Sequence, residues 1–221
     1  MKAWQRAAAA ACVVGSLAAA LSGCVPLVVT GGAVTAAMVA SDRRTAGMLL
    51  EDQRIEQAMA TKVSELTDPG RIHTTSFNRI VLLAGEVRSE QDKQRIGQLA
   101  QSIENVRSVV NELQVVPFVS SITQRTKDTF ITSKVKASLI DAKDLQANAI
   151  KVVTEMNVVY LMGIVTPREA KRAAEIARGV NDVRKVVRVF ESISEDELAS
   201  YQTQPASAAP VQDAQPTYNS N

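Results

Sequence analysis

The chain has 221 residues, of which 46% are hydrophobic and only 4% aromatic, so a core must be built mainly from Ala, Val, Ile and Leu. Its 25 basic and 23 acidic residues give a formal net charge of +2, which excludes the strongly basic character typical of general nucleic-acid binding. With one histidine and two cysteines, the chain has almost none of the side chains that a histidine-based triad or a zinc site needs.

Residues 1–23 are predicted to be a lipoprotein signal peptide. Lys2 and Arg6 supply a positive start, and an apolar stretch of about 15 residues that ends in small residues follows them. This stretch is shorter than the roughly 20 residues that a membrane-spanning helix needs. Removal of the segment would also remove Cys12 and leave 23 basic and 23 acidic residues.

The sequence LSGC at residues 21–24 resembles the bacterial lipobox. The resemblance implies that Cys24 takes a diacylglycerol thioether and becomes the first residue of the mature chain. Val25 follows it, rather than the Asp typical of retention in the inner membrane, so the resemblance implies an anchor on the periplasmic face of the outer membrane. The alternative is a signal peptide cut elsewhere and a free thiol; in either case one cysteine excludes an intrachain disulfide.

Two further segments outside the central region are interpreted as irregular. Residues 24–48 are apolar but interrupted by Pro26, Gly31 and Gly32, so they are predicted to be the lipidated N-terminus and a flexible tether. A second membrane helix is disfavoured because only about 11 residues separate Gly32 from Arg43. Residues 199–221 contain three prolines and almost no charge, and they are predicted to be a disordered tail.

An internal repeat occupies the chain between the tether and the tail. The segment FNRIVLLAGEV at residues 77–87 aligns with EMNVVYLMGIV at 155–165, at an offset of 78. Further along, IENVRSVVNELQV aligns with VNDVRKVVRVFES at an offset of 77. Two copies of one structural unit are therefore predicted.

Each copy begins with an amphipathic helix and a pair of strands. Apolar residues at spacings of four mark the two helices: Ile55, Met59 and Val63 in the first copy, and Ile131, Val135 and Leu139 in the second. The strands are predicted at residues 71–75 and 80–87, and again at 150–154 and 158–165, with short polar turns between them.

A second helix and a last strand complete each copy. The helices are predicted to begin at the capping residues Ser89 with Asp92, and Thr166 with Glu169. The last strands are predicted near residues 108–115 and 185–191. The order is helix, strand, strand, helix, strand.

With these elements in place, the sequence resembles the BON domain family, whose units have this αββαβ order and a Gly at the end of the second strand. The segments ENVRSVVNEL and NDVRKVVRVF resemble the closing motif of the family, although Asn105 and Asp182 stand where Gly is common. The resemblance implies an α+β fold with two tandem αββαβ BON domains, at residues 49–117 and 123–193. Each would be a three-stranded mixed sheet packed on two helices. The lipobox, a tether with SDRRTAG and two repeats together resemble the dual-BON outer-membrane lipoproteins of Gram-negative bacteria.

No catalytic, cofactor or metal site is predicted, and the chain is not expected to be an enzyme. His73, the only histidine, is interpreted as a strand residue. Gly85 and Gly163 lack a phosphate-binding loop after them, so they are expected to permit a bulge or close packing. Asp141 and Asp144 are interpreted as a solvated turn.

The first helix of the second copy differs from its counterpart in the first. The core stripe there faces inward, so at 100° per residue Phe130 is predicted to be exposed, with Lys134 one turn on and Lys136 on the other flank. Arg125 and Lys127 precede it, whereas the first copy has Arg54, Ala58 and Ala60 at the positions of Phe130, Lys134 and Lys136. An exposed aromatic ring among cations predicts contact with anionic lipid headgroups. The alternative is that Phe130 packs against the first copy and the lysines form an ordinary solvated face.

The family resemblance implies that the second BON domain contacts anionic phospholipid, such as phosphatidylglycerol or cardiolipin, through this helix, with Trp where this chain has Phe130. The candidate phospholipid-binding residues are Phe130, Ile131, Lys127, Lys134 and Lys136. The first functional hypothesis is a lipid-anchored protein that supports outer-membrane integrity and envelope stress resistance. The second is a periplasmic adaptor for envelope-assembly or cell-wall-remodelling proteins, and the third a soluble periplasmic stress protein. Because acyl chains already anchor Cys24, the helix is interpreted as a lipid selector.

Overall fold

The computed structural model describes residues 42–117 and 121–203 of the chain. The predicted signal peptide, Cys24 and the predicted tail beyond residue 203 lie outside the described residues, as does most of the predicted tether.

Two αββαβ units follow one another, as the repeat predicts. The first contains α1 (Ala46–Ser64), β1 (Arg71–Phe77), β2 (Ile80–Val87), α2 (Glu90–Gln101), β3 (Ser108–Asn111) and β4 (Gln114–Val115). The second contains α3 (Ile122–Asp141), β5 (Ile150–Glu155), β6 (Val158–Val165), α4 (Pro167–Arg178) and β7 (Lys185–Ser192). A further helix, α5 (Glu195–Thr203), follows the second unit.

Both sheets are mixed. β1 is antiparallel to β2, and β2 is parallel to β3 and β4. In the second unit β5 is antiparallel to β6, and β6 is parallel to β7 along its whole length. The predicted strand at 108–115 is interrupted between β3 and β4, beside the part of β2 where Gly85 adopts a φ of +118°.

Tight hairpin turns join the antiparallel strands at the same place in each unit. Asn78 and Arg79 have φ values of +51° and +63°, and Met156 and Asn157 have +51° and +64°. Two successive residues with positive φ are typical of the type I′ turn, whose twist matches that of the strands.

The central strands β2 and β6 are apolar on both faces, and each face has its own partner. Odd-numbered residues such as Val81, Leu83, Val159 and Leu161 pack against the helices of their own unit. Even-numbered side chains of β2 and β6 pack in a third cluster between the two sheets; its fully buried members are Leu82, Ala84, Tyr160 and Met162. The two sheets therefore lie face to face, with helices on the outer sides.

Ion pairs surround this apolar contact between the sheets. Arg107 of the first unit pairs with Glu191 of the second, and Asn78 Nδ2 donates to Glu191 Oε2 at 2.6 Å. The hydrogen bond from Arg107 lowers the pKa of Glu191, and that from Asn78 lowers it further. On the other edge, Arg71 lies 3.0 Å from Glu155.

Two predicted boundaries are corrected. Residues 42–45 pack against the folded units and α1 begins at Ala46, so the predicted tether of residues 24–48 must end earlier. Helix α5 covers residues 199–203 of the predicted tail. It begins at a capping box in which Ser194 N donates to Glu197 at 2.7 Å, and Leu198 is buried.

Candidate membrane-contact surface

Helix α3 presents Phe130 to solvent. Its inward stripe, Ile131, Val135 and Leu139, is buried in the core of the second unit. Phe130 is 58% exposed, which confirms the predicted exposure and contradicts the alternative in which the ring packs against the first copy. Ile131 is 0% exposed and is therefore corrected: as part of the inward stripe, it cannot contact lipid.

Two more large apolar side chains on α3 are exposed. Ile122 and Ile140 are 72% and 67% exposed, and neither belongs to the predicted site. They lie eight residues before and ten after Phe130, which places both about 80° from it on the same side of the helix. Their exposure follows from the same core stripe, at 100° per residue, that predicts the exposure of Phe130. These three residues form the outer apolar strip of α3.

The cations of α3 flank this strip. Lys134 Nζ lies 4.3 Å from the centroid of the Phe130 ring, a cation–π contact. Lys127 is half exposed and lies 3.8 Å from Asp182, so its charge is partly balanced. Lys136 is exposed on the opposite flank.

The exposed surface of α3 carries cations and no carboxylate from residue 122 to residue 140. The single acidic residue in that span is Asp128, which is 4% exposed. Up to Ile140 the strip therefore combines apolar side chains with flanking cations, a combination suited to an anionic interface. The exposed carboxylate of Asp141 ends this positive stretch at the last residue of the helix.

Asp128 holds α3 in place on the sheet. Its carboxylate accepts hydrogen bonds from the backbone N–H groups of Met156 and Asn157, at 3.0 and 2.8 Å. In the first unit, Asp52 accepts from the same positions of the other hairpin, Asn78 N and Arg79 N, both at 2.8 Å. The buried aspartate thus ties the first helix of each unit to the type I′ turn, a role that the sequence analysis did not detect.

The segment just before α1 binds both units through two consecutive arginines. Arg43 is buried; it donates to Ile164 O at 2.6 Å and to the Glu169 carboxylate at 2.7 and 2.8 Å, in the second unit. Arg44 donates to Asp52 at 2.8 Å, and its guanidinium lies 3.9 Å above the Phe77 ring, in the first unit. Both arginines fall within the predicted tether of residues 24–48.

Glu169 has two tasks at the start of α4. It completes the predicted capping box with Thr166, whose backbone N–H donates to it at 3.0 Å, and it binds Arg43. Burial would raise the pKa of Glu169, but hydrogen bonds from Arg43 and Thr166 and the Arg43 charge lower it below the ordinary value.

The first unit lacks a comparable surface on its equivalent helix. Arg54 stands at the position of Phe130 and lies 3.3 Å from Glu104, so its charge is balanced. The exposed apolar residue on α1 is Leu50, at 67%. The two copies share a fold but present different surfaces.

His73 lies in β1, as predicted, with Nδ1 3.2 Å from Glu155 Oε1 at the edge of a polar cavity of about 420 Å³. Asp141 and Asp144 are exposed, and Asp144 pairs with Arg172. Among residues 42–117 and 121–203, no group of three His, Cys, Asp or Glu side chains is placed to hold a metal ion. Across those same ranges, no helix is long and apolar enough to span a membrane.

Comparison with known proteins matches the sequence to the BON domain family over residues 51–117 and 127–192. The chain is 38% identical over 173 residues to the outer membrane lipoprotein DolP of Haemophilus influenzae, covering 77% of this chain and 89% of that protein. It is 32% identical to the 21 kDa hemolysin of Actinobacillus pleuropneumoniae, covering 67% and 78% of the two chains. It is 30% identical to the osmotically-inducible protein Y of Escherichia coli, covering 59% and 69%.

Proposed function

The chain belongs to the BON domain family, and from this premise we propose that it is a lipoprotein of the outer membrane whose second BON domain binds anionic phospholipid. Cys24 carries the acyl chains on the periplasmic side, and the protein supports outer-membrane integrity and envelope stress resistance. The name of the Haemophilus relative supports the location, and the LSGC motif supports the anchor.

The outer apolar strip of α3 is the main support for the lipid proposal. Ile122, Phe130 and Ile140 are each more than half exposed, and together they extend over about 27 Å of the helix. Exposed apolar clusters of this kind mark interaction sites, because leaving them in water is unfavourable. A helix that lies flat on the bilayer would bury all three at the boundary between headgroups and acyl chains.

The cations decide which bilayer the strip prefers. Each lysine close to an anionic surface contributes on the order of 1 kcal/mol, and Lys127, Lys134 and Lys136 all lie on this helix. Lys134 lies above the Phe130 ring, so its ammonium group reaches the phosphates where the ring enters the interface. Phosphatidylglycerol and cardiolipin have the required negative charge.

The surface selects lipid rather than retains the protein. Buried acyl chains contribute about 0.8 kcal/mol per methylene, so the lipid on Cys24 is sufficient for retention. From Cys24 to Asp42 there are 18 peptide links, which bridge at most about 60 Å. That distance allows α3 to touch the bilayer that holds the anchor.

Vesicle co-sedimentation tests the lipid proposal. The mature chain, residues 24–221 with Cys24→Ser to remove the anchor, is mixed with phosphatidylcholine vesicles with or without phosphatidylglycerol or cardiolipin. We expect binding only to the anionic vesicles and a loss of at least tenfold in Phe130→Ala with Lys134→Ala. Lys171→Ala, an exposed lysine on α4, is the matched control and should bind normally. Equal binding to neutral vesicles, or normal binding by the double variant, would contradict the proposal.

Metabolic labelling with a fatty acid tests the anchor separately. The wild-type chain should be labelled and Cys24→Ala should not, because the thiol is the acceptor. An unlabelled wild type would favour the third hypothesis, a soluble periplasmic stress protein.

A protein-interaction adaptor is the second candidate, since an exposed apolar strip also fits a protein interface. It predicts that a photo-crosslinker at position 130 captures an envelope-assembly or cell-wall-remodelling protein. Crosslinks to lipid alone would count against it.

A further inference from the structure

We propose that the cleft between the two units, on the side of β3 and β7, binds a peptide through its C-terminal carboxylate. The cleft has a volume of about 540 Å³. The interruption between β3 and β4 lies on one side of it and the start of β7 on the other, and its described lining includes no residue of α3. The site is therefore separate from the outer apolar strip and goes beyond the proposed function.

The cations Lys93, Arg184 and Lys185 line the cleft, and the first two are unpaired in the described part of the chain. Neither Lys93, in α2, nor Arg184, just before β7, takes part in an ion pair among residues 42–117 and 121–203. Lys185 lies 3.5 Å from Glu112, the acidic member of the described lining. Three positive charges and one negative charge give this lining a net charge of +2, which favours an anionic ligand.

The hydroxyl of Tyr160 also lacks a partner among the described residues. Tyr160 is 1% exposed and lines the cleft, yet no hydrogen bond joins its hydroxyl to residues 42–117 or 121–203. Buried tyrosine hydroxyls usually have a hydrogen-bond partner. Burial raises the pKa of Tyr160, so at neutral pH the hydroxyl keeps its proton and can donate a hydrogen bond. The positive charge of Arg184 lowers this pKa, so the guanidinium is close enough to the hydroxyl for both to act on one anion.

These donors favour a carboxylate as the bound group. A guanidinium can donate two parallel hydrogen bonds to the two oxygens of a carboxylate, and a phenol O–H can donate to a remaining lone pair. Glu112 disfavours a more highly charged anion such as phosphate, because its own carboxylate is part of the lining and repels negative charge.

The rest of the cleft suits the main chain of a peptide. β3 and β7 are edge strands of the two described sheets, so each has backbone N–H and C=O groups on one side that its own sheet does not pair. The side-chain amide of Gln114 lines the cleft and has no partner among the described residues. At about 30 Å³ for each water-sized group, 540 Å³ holds roughly 18 non-hydrogen atoms, the size of a tripeptide.

Titration with N-acetyl-trialanine, observed by backbone amide NMR, tests the site. The side chains of this probe are methyl groups, so its binding reports on the carboxylate and the main chain. The mature chain with Cys24→Ser should show saturable shifts of the Glu112 and Arg184 amide signals. The same peptide with a C-terminal carboxamide should bind at least tenfold more weakly, because it lacks the negative charge that Arg184 and Lys93 would bind.

Two substitutions separate binding from folding. Arg184→Gln should weaken the affinity at least tenfold, because it removes the bidentate donor. Arg188→Gln, at an exposed arginine of β7 outside the described lining, is the matched control and should bind normally. Tyr160→Phe should weaken the affinity about fivefold and leave the midpoint of urea unfolding unchanged, because the lost hydroxyl has no partner among the described residues. A lower midpoint with unchanged affinity would contradict the role of Tyr160 as a donor to the ligand.

The double variant Phe130→Ala with Lys134→Ala distinguishes this site from the lipid surface, because it should bind the peptide like wild type. Absence of saturable shifts, equal affinity for the carboxylate and the carboxamide, or tighter binding of inorganic phosphate would each overturn the site. None of these results would change vesicle binding through α3, and a loss of vesicle binding would leave the peptide titration unchanged.

Discussion

Two residues of this fold occupy positions that few other side chains can fill without loss of stability. Arg43 and Glu169 form a buried ion pair between residues 126 positions apart, and Gly85 occupies a backbone conformation that L side chains rarely adopt. Replacing either residue should lower the free energy of unfolding, for a different physical reason in each case.

Replacing Arg43 should destabilise the fold in a pH-dependent way. Arg43→Met leaves the Glu169 carboxylate buried without its partner, which costs about 3 kcal/mol of unfolding free energy at pH 7. The folded pKa of Glu169 is lowered, so the stabilisation is present above the ordinary glutamate pKa of about 4.3 and is lost as pH falls through the folded value. Urea unfolding measures this. The difference in unfolding free energy between wild type and Arg43→Met should be smaller at pH 3 than at pH 7.

The double variant Arg43→Met with Glu169→Gln is the control for that experiment. Glutamine can still accept the hydrogen bond from Thr166 N, so much of the lost stability should return at pH 7. An equal loss in Arg43→Met at both pH values would contradict the role of the ion pair.

Gly85 should not tolerate a side chain. A Cβ there would lie 2.1 Å from Arg71 O, and φ is +118°, so Gly85→Ala should cost about 2 kcal/mol or more. Gly47→Ala is the control, since the nearest atom, Thr45 Oγ1, lies 4.0 Å from its Cβ and alanine favours the helix. Urea unfolding measures both; equal stability of the two variants would contradict the steric argument.

Among the secondary-structure elements, α3 has two roles: one face packs in the core and the opposite face forms an exposed apolar surface. Its inner stripe builds the core of the second domain, and its outer apolar strip stays in water. Asp128 fixes its rotation through the β5–β6 turn. The rigid attachment means that the outer side chains are presented without a folding step, which reduces the entropy cost of binding a surface.

The two exposed isoleucines should contribute to binding but not to stability. Ile122→Ser and Ile140→Ser each remove apolar surface from the strip, so affinity for phosphatidylglycerol vesicles should fall about three- to tenfold. The unfolding free energy should change by less than about 0.5 kcal/mol, because both side chains are already exposed. Leu50→Ser, also at a residue that is 67% exposed but on α1, should bind like wild type. Similar losses in all three variants would refute the assignment to α3.

At the scale of the molecule, the two domains share a core. The inner faces of both sheets bury Leu82, Tyr160 and Met162 against one another, and Arg107 with Glu191 closes the rim. Burial raises the pKa of Tyr160, and the charges of Glu112 and Glu155 add to that effect. The shared core fixes α3, the first helix of the second unit, relative to the arginines that precede the first unit.

Charge in the shared core should uncouple the domains. Leu82→Asp places a carboxylate in a position that is 0% exposed, while Val81 and Leu83 still face the helices of the first domain. Calorimetry should show one unfolding transition for wild type and two, at lower temperature, for the variant. Val115→Asp, at a residue that is 40% exposed, should keep one transition. A single unshifted transition in Leu82→Asp would contradict the shared core.

Local sequence patterns are sufficient to predict the αββαβ unit and its repetition. The spacing of Ile131, Val135 and Leu139, the capping pair Thr166 and Glu169, and the offset of the two copies depend on residues close in the chain. Local periodicity also placed Phe130 outside, because a core stripe fixes the rotation of a helix. The same reasoning, applied to every position of α3, would have found Ile122 and Ile140.

The way in which the two copies pack together depends on contacts between residues far apart in the chain. Strands that are apolar on both faces predict two partners but do not name them, so the sheet-to-sheet contact of Leu82 with the second domain was not predicted. Arg43 and Arg44 resemble tether residues in sequence, and their partners, Glu169 and Asp52, are set by the packing of complete domains. A buried ion pair forms where three-dimensional proximity and burial coincide, and neither is encoded in the spacing of residues along the chain.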